Sequence, residues 1–282
     1  MRPLISVDDL RARLGADDLC VIDARFSLAD TEAGRRAYAA SHLPGAVYLH
    51  LDEDLSGPLG RHGGRHPLPS PEAAATTFGR AGVGADTHVV AYDDGDGMVA
   101  GRVWWLLRWL GVDRVQVLDG GLAAWRAAGG PETSDVATPT VRSFEPEPRS
   151  DMVVDHAWLL EHLADPDVVV IDARAPERYR GEVEPIDPRA GHVPGARNLP
   201  FADNLEGGRF KDDDALRERF AHVAQAPTLV VYCGSGVSAA HDILALELAG
   251  VSGAKLYAGS WSDWVSHADA PVATGDEPGV PG

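Results

Sequence analysis

Cys233 ends an apolar β-type run, Leu229-Val230-Val231-Tyr232, and is followed by Gly234-Ser235-Gly236-Val237-Ser238 and a helix-like stretch. That order sets one sulfur at the base of a loop of free backbone N–H groups. Such a cradle stabilises a thiolate and any anion held beside it. A free cysteine is more often a small packing residue. Cys20, in the strand-like run Leu19-Cys20-Val21-Ile22, reads that way. Gly-x-Gly directly after Cys233 argues for the reactive role. Ser238 is placed to N-cap the helix that follows, whose positive end would also favour the thiolate.

The elements that must position this loop occur twice. Val21-Ile22-Asp23-Ala24-Arg25 returns as Val170-Ile171-Asp172-Ala173-Arg174. Ser41-His42-Leu43-Pro44-Gly45-Ala46 returns as Gly191-His192-Val193-Pro194-Gly195-Ala196, and Val89-Val90-Ala91-Tyr92 as Leu229-Val230-Val231-Tyr232. Leu118 to Trp125 returns as Tyr257 to Trp264. Four blocks in one order mean a duplicated domain, and two copies are too few for a solenoid. The expected division is a domain over 1–130, a Pro/Thr/Ser/Glu-rich linker over 131–150, and a second domain over 151–282. The polar tail after Pro271 is expected to be poorly ordered.

Within each copy, short apolar runs alternate with amphipathic stretches. Strands are expected at 168–171, 196–199, 229–232 and 254–257, and helices at 153–163, 214–221 and 238–249. This alternation gives an α/β fold, a mostly parallel sheet covered by helices on both faces. Ligands of such sheets bind beyond the carboxyl ends of the strands, which is where Cys233 stands. The aspartates and arginines of both Asp-Ala-Arg blocks occur with or without the cysteine, so they are read as a structural pairing near a strand end. The tryptophans 104, 105, 109, 125, 261 and 264 are read as core.

Composition narrows the partners. The chain of 282 residues carries a net charge of −18, so nucleic acid and anionic membranes are excluded as partners. No apolar run reaches membrane-spanning length, and the first ten residues lack a signal-peptide core. A cytoplasmic protein is expected. Two cysteines give no disulfide framework. No metal or organic cofactor motif is present, since His62 and His66 lie in a Gly-rich loop without a supporting Cys or carboxylate pattern.

The Cys-Gly-Ser-Gly-Val-Ser loop, the paired Asp-Ala-Arg and His-x-Pro-Gly-Ala blocks, and Gly259-Ser260-Trp261-Ser262-Asp263-Trp264 resemble the two-domain rhodanese superfamily. The resemblance covers nearly the whole chain. It implies tandem rhodanese-like domains and a sulfurtransferase. Cys233 would take a sulfane sulfur as a persulfide, bedded among Gly234, Gly236, Val237 and Ser238, and pass it to a thiol or cyanide acceptor, including a reduced thiol protein. The donor would be a small anion, 3-mercaptopyruvate or thiosulfate. In mercaptopyruvate-type members the serine two residues after the nucleophile works with a His and an Asp of the amino-terminal domain. Here these are Ser235, His66 and Asp52, a set able to move a proton to the substrate carbonyl or enolate. Arg178 matches the family's anion-binding arginine. Arg189 resembles a second one at a different spacing, with Arg180 as the alternative.

Copy one departs from this pattern at its loop. Tyr92-Asp93 aligns with Tyr232-Cys233, and Asp93-Asp94-Gly95-Asp96-Gly97 offers no sulfur nucleophile. Its carboxylates would repel an anion. The neutral Gly234-Ser235 pair favours 3-mercaptopyruvate over thiosulfate, whose users carry basic residues there. Phosphatases sharing this fold need an arginine closing a Cys-x5-Arg loop, and this chain has Ala239. A non-enzymatic persulfide carrier or redox sensor is the remaining alternative.

Overall fold

The structure is a computed structural model describing residues 1–280. The chain forms two compact units, and neither is one continuous stretch. The first holds residues 1–57, 69–149 and 207–210. The second holds 58–68, 150–206 and the chain from 211 onward.

In the first unit, β1 (Leu4–Ile5), β2 (Leu19–Asp23), β3 (Val47–Tyr48), β4 (His88–Tyr92) and β5 (Val115–Leu118) pair in the order β1-β5-β4-β2-β3. Every pairing is parallel. Five helices alternate with these strands: α1 (Val7–Arg13), α2 (Ala33–Ala40), α3 (Pro71–Arg80), α4 (Met98–Trp109) and α5 (Gly121–Ala127). The second unit repeats the plan. Its strands are β6 (Val153–Val154), β7 (Val168–Asp172), β8 (Arg197–Asn198), β11 (Thr228–Tyr232) and β12 (Lys255–Tyr257), in the all-parallel order β6-β12-β11-β7-β8. Its helices are α6 (His156–Glu161), α7 (Pro176–Tyr179), α8 (Asp213–Phe220), α9 (Ser238–Leu248) and α10 (Ser260–Trp264). The two-residue strands β9 (Leu205–Glu206) and β10 (Arg209–Phe210) stand outside both five-stranded sheets. Among the described residues, no helix is long and apolar enough to cross a membrane.

The strand next to each loop is buried because both sheet faces are covered. Every residue of β4 is buried, as are Leu229 to Tyr232 of β11. Trp104, Trp105, Trp125, Trp261 and Trp264 are buried. Trp125 and Trp264 solve the indole N–H problem alike, donating to the carbonyls of Pro131 (2.9 Å) and Pro271 (2.8 Å). The duplicated aspartate–arginine pairs are also core features. Arg25 grips Asp23 and Arg174 grips Asp172, all four nearly inaccessible, at 2.7 and 2.6 Å. Tyr92 and Tyr232 each add a hydroxyl donated to the same carboxylate at 2.6 Å.

Four local expectations change. The stretch from 153 does not start as a helix, because the β-branched Val153 and Val154 complete the sheet edge against β12. The helix begins after Asp155, whose side chain accepts the Trp158 N–H at 2.8 Å. Ser238 is the first helical residue of α9 rather than its cap, which is Val237 with no side-chain cap bond. Residues 131–149 form no strand or helix yet belong to the first unit. They are held there by Arg142 N–H to Gly79 O, Glu147 N–H to Leu110 O and Arg149 N–H to Trp109 O. The described part of the tail beyond Pro271 is bonded rather than loose. Ala273 bridges His192, and Gly195 N–H donates to Pro278 O.

Candidate active site

Cys233 follows β11 directly and is buried. Its Sγ accepts the Gly236 N–H at 3.1 Å. Gly236 takes φ +78, and a Cβ there would sit 2.3 Å from the Ala258 carbonyl oxygen, so glycine is required for the loop to turn under the sulfur. Val237 then enters the helical region and α9 starts at Ser238. The N-terminus of an eleven-residue helix therefore faces the loop that carries the thiol.

A second segment fixes the backbone of this loop. Trp261 N–H donates to Cys233 O (2.9 Å) and Ser262 N–H to Gly234 O (3.0 Å). Ser260 Oγ accepts the Cys233 N–H at 3.0 Å, donates to Tyr257 O at 2.9 Å, and lies 3.9 Å from Cys233 Sγ. Among the described residues Ser260 is the one non-glycine at positive φ, +55. That backbone costs about 1–3 kcal/mol, and the hydroxyl is what the strained residue supplies to the site.

Residues 63–66 of the second unit lie against the same segment. Gly63 N–H donates to Asp263 Oδ1 (2.7 Å) and Arg65 N–H to Ser262 Oγ (3.1 Å). Gly64, at φ +79, packs so closely that a Cβ would meet Gly259 O at 2.3 Å. This anchoring delivers His66, buried, with Nδ1 2.7 Å from Ser235 Oγ. The hydroxyl–imidazole pair expected from sequence is thus assembled two residues from the thiol. Asp52 belongs to the first unit, where its N–H meets His50 Nδ1 (3.1 Å) and partial burial raises its carboxyl above the ordinary range.

Arg178 reaches the loop and Arg189 is engaged elsewhere. Arg178 Nη1 would lie 3.5 Å from a Cβ at Gly234. Its Nε and Nη2 are held by Glu184 at 2.7–3.2 Å. Arg189 donates to Ala270 O at 3.2 Å, and its own carbonyl accepts the Trp261 indole N–H at 2.9 Å. Arg180 pairs with Glu182 at 2.9 Å. Burial pushes the Glu184 carboxyl up, but Arg178 and the N–H groups of Asp187 and Ile186 outweigh it, leaving it below the usual range.

Sequence reasoning missed Ser260, Arg65 and the carboxylates Glu184 and Asp187. The signal for Arg65 was its place next to His66 in so acidic a chain. Ser260 sits where the first copy has Gly121 at φ +52, a contrast visible in the aligned blocks. Among the described residues, two groups of side chains bring possible metal ligands within 4.8 Å of one another: His62, Asp263 and His267, and Glu32, His50 and Glu53. In the first, the rings of His62 and His267 stack at 4.0 Å, which sets their lone pairs side by side rather than converging. In the second, Arg35 binds both glutamates.

Fold and site together define a tandem α/β protein with one thiol cradled at the carboxyl end of a parallel strand. The profile of the Rhodanese-like domain matches residues 6–128 and again 155–267, and the chain belongs to the rhodanese-like family and is a sulfurtransferase. It is 48% identical to a probable 3-mercaptopyruvate sulfurtransferase of Pseudomonas aeruginosa, over 97% of this chain and 98% of that one. It is 33% identical to the thiosulfate sulfurtransferase of Bos taurus, over 93% and 90%. The crystal structure of SseA from Escherichia coli, described as a 3-mercaptopyruvate sulfotransferase, superposes with a TM-score of 0.81 at 31% identity, covering 93% of this chain and all of that one.

Proposed function

We propose that this sulfurtransferase takes sulfur from 3-mercaptopyruvate through a persulfide on Cys233 and delivers it to a thiol or to cyanide. The observation carrying this reading is the His66 Nδ1–Ser235 Oγ pair at 2.7 Å, beside a sulfur that accepts the Gly236 N–H. The Cys233 thiolate attacks the substrate sulfur, and the carbon–sulfur bond breaks with its electron pair passing into the pyruvate enolate. The enolate takes a proton through Ser235 and His66, leaving pyruvate and the Cys233 persulfide. A thiol acceptor then attacks the outer sulfur and restores the thiolate. The relay's expected third member is Asp52. The loop N–H donors hold the persulfide anion between half-reactions. Both cysteines are free, which suits a reducing cytoplasm.

Thiosulfate is the second reading, favoured by one observation. The Arg65 guanidinium, paired with Asp187, adds N–H donors beside a loop that is neutral by its own residues. Attack on thiosulfate would expel sulfite and need no proton.

The test is the mass of the intact protein after each donor, with turnover measured in parallel. One sulfur gained from 3-mercaptopyruvate and lost in Cys233→Ala supports the proposal. A clear turnover preference for thiosulfate sinks the donor assignment, and sulfur retained in Cys233→Ala sinks the nucleophile.

A further inference from the structure

Helix α10 and the turn after it touch both halves of the site. Their backbone faces the thiol loop, with the Trp261 and Ser262 N–H groups donating to Cys233 O and Gly234 O. Their side chains face residues 62–66. Asp263 Oδ1 accepts the Gly63 N–H at 2.7 Å, and Ser262 Oγ accepts the Arg65 N–H at 3.1 Å. Ser266 Oγ lies 2.7 Å from His62 Nδ1. One short element therefore sets the distance between the thiol and the imidazole of His66.

The two backbone bonds straddle Gly64. Gly63 and Gly64 both stand at positive φ, +100 and +79. Consecutive glycines give a segment wide freedom, and holding them in one conformation costs more entropy than holding other residues. An N–H fixed on each side of Gly64 removes much of that freedom. Asp263 suits the task because it is held from a second side. It is buried, and its other oxygen accepts the Tyr257 hydroxyl at 2.7 Å. A carboxylate acceptor also makes the Gly63 bond stronger than a neutral one would.

The first copy separates the two roles of this element. Its residues matching Ser262 and Asp263 are Ala123 and Ala124. Ala123 N–H still donates to Asp94 O, so the backbone role is common to both units. The side-chain acceptors stand in the unit that carries the thiol, and methyl groups replace them in the unit that does not.

We infer that Asp263, assisted by Ser262, is a positioning residue of the sulfur-transfer site. It holds the Gly63–Gly64 turn and through it sets His66 against Ser235. The inference rests on the relay reading of Ser235 and His66.

The experiment measures kcat with 3-mercaptopyruvate and with thiosulfate. It compares wild type, Asp263→Ala, Asp263→Asn, Ser262→Ala, His66→Ala and the double variant Asp263→Ala/His66→Ala. Misplacing the relay is expected to cost Asp263→Ala about 10- to 100-fold in kcat with 3-mercaptopyruvate. Thiosulfate turnover should fall much less, because that reaction needs no proton. Asp263→Asn keeps an oxygen for the Gly63 N–H and is expected to recover most of the loss. Ser262→Ala gives up one neutral acceptor and is expected to lose about 2- to 10-fold with the same donor bias. In the His66→Ala background, Asp263→Ala is expected to cost nothing further, since it acts through the missing ring. Equal losses with both donors overturn the inference, as does a full additional loss on top of His66→Ala. Should Asp263→Ala fail to fold, Ser262→Ala decides by its donor bias and by the same double-variant comparison. A His66→Ala protein without donor bias refutes the relay reading, and this inference with it, by a result that does not involve Asp263.

Discussion

Asp93 and Cys233 occupy the same place in their two units. Each follows the last residue of its strand, β4 or β11. Leu122 N–H donates to Asp93 O at 2.9 Å as Trp261 N–H donates to Cys233 O at 2.9 Å. Ala123 N–H to Asp94 O and Ser262 N–H to Gly234 O continue the correspondence at 3.1 and 3.0 Å. The Asp93 carboxylate accepts the N–H groups of Gly95, Gly97, Val99 and Ala100 at 3.0–3.1 Å. The first unit thus fills its loop with an anion of its own, where the second holds a thiol under the Gly236 N–H.

That carboxylate is a pH probe. Burial, with Asp96 adding to it, pushes Asp93 up to about 6. A carboxyl held higher in the folded than in the unfolded state stabilises the fold below its unfolded value, near 3.8, and loses that contribution as pH rises through about 6. Denaturant midpoints of wild type should therefore gain less, or fall more, than those of Asp93→Asn as pH rises across this window. Identical pH profiles for the two proteins would remove Asp93 as the titrating group.

The relay predicts donor-dependent losses. Ser235→Ala and His66→Ala are each expected to lower kcat for 3-mercaptopyruvate by about 100-fold or more, the usual worth of a positioned acid–base group. Thiosulfate turnover should suffer much less, because sulfite leaves without a proton. Asp52→Asn is expected to follow the same pattern with a smaller amplitude. Equal losses with both donors would mean that these residues only shape the loop.

Much of this was readable before the structure. The duplicated blocks gave the two parallel sheets because parallel strands, buried on both faces, read as unbroken apolar runs. Cys233, Ser235 and Arg178 are candidates because they lie within or near a recognisable motif. Arg189 is a candidate by its order along the chain, and the motif could not show that its guanidinium donates to Ala270 O. Arg65 stays hidden in the sequence because its place beside the loop comes from Gly64 packing against Gly259, a contact between residues far apart along the chain. Val153-Val154 reads as helix from sequence because two residues are too few to show a period. Only their pairing with β12 decides them.

Cys20 should resist alkylation for as long as the protein stays folded. Burial pushes the Cys20 thiol up to about 12, and its Sγ lies 3.2 Å from Ala81 O. At about pH 8 the Cys233→Ala protein, whose remaining thiol is Cys20, is expected to take up no iodoacetamide while folded and one equivalent once unfolded. Cys20→Ala should keep wild-type turnover within about twofold, at a stability cost of about 1 kcal/mol for a lost small core group. Rapid labelling of Cys20 in the folded protein would refute its place in the core.

Ser260 offers the sharpest separation of strain from function. Its left-handed backbone costs about 1–3 kcal/mol for a side-chain-bearing residue, and the matching Gly121 avoids that cost at nearly the same φ. Ser260→Gly relieves the strain but removes the acceptor for the buried Cys233 N–H, a loss of about 1–3 kcal/mol. The two effects nearly cancel, so its melting temperature should stay close to wild type. Ser260→Ala keeps the strain and still loses the acceptor, so it should be the least stable of the three. Both variants free the Cys233 backbone and remove the hydroxyl 3.9 Å from its sulfur, and kcat should fall in both by about 10-fold or more through misplacement of the nucleophile. If Ser260→Gly matched wild type in kcat, the hydroxyl would have no part in positioning the thiol, and the strain would lack a functional reason.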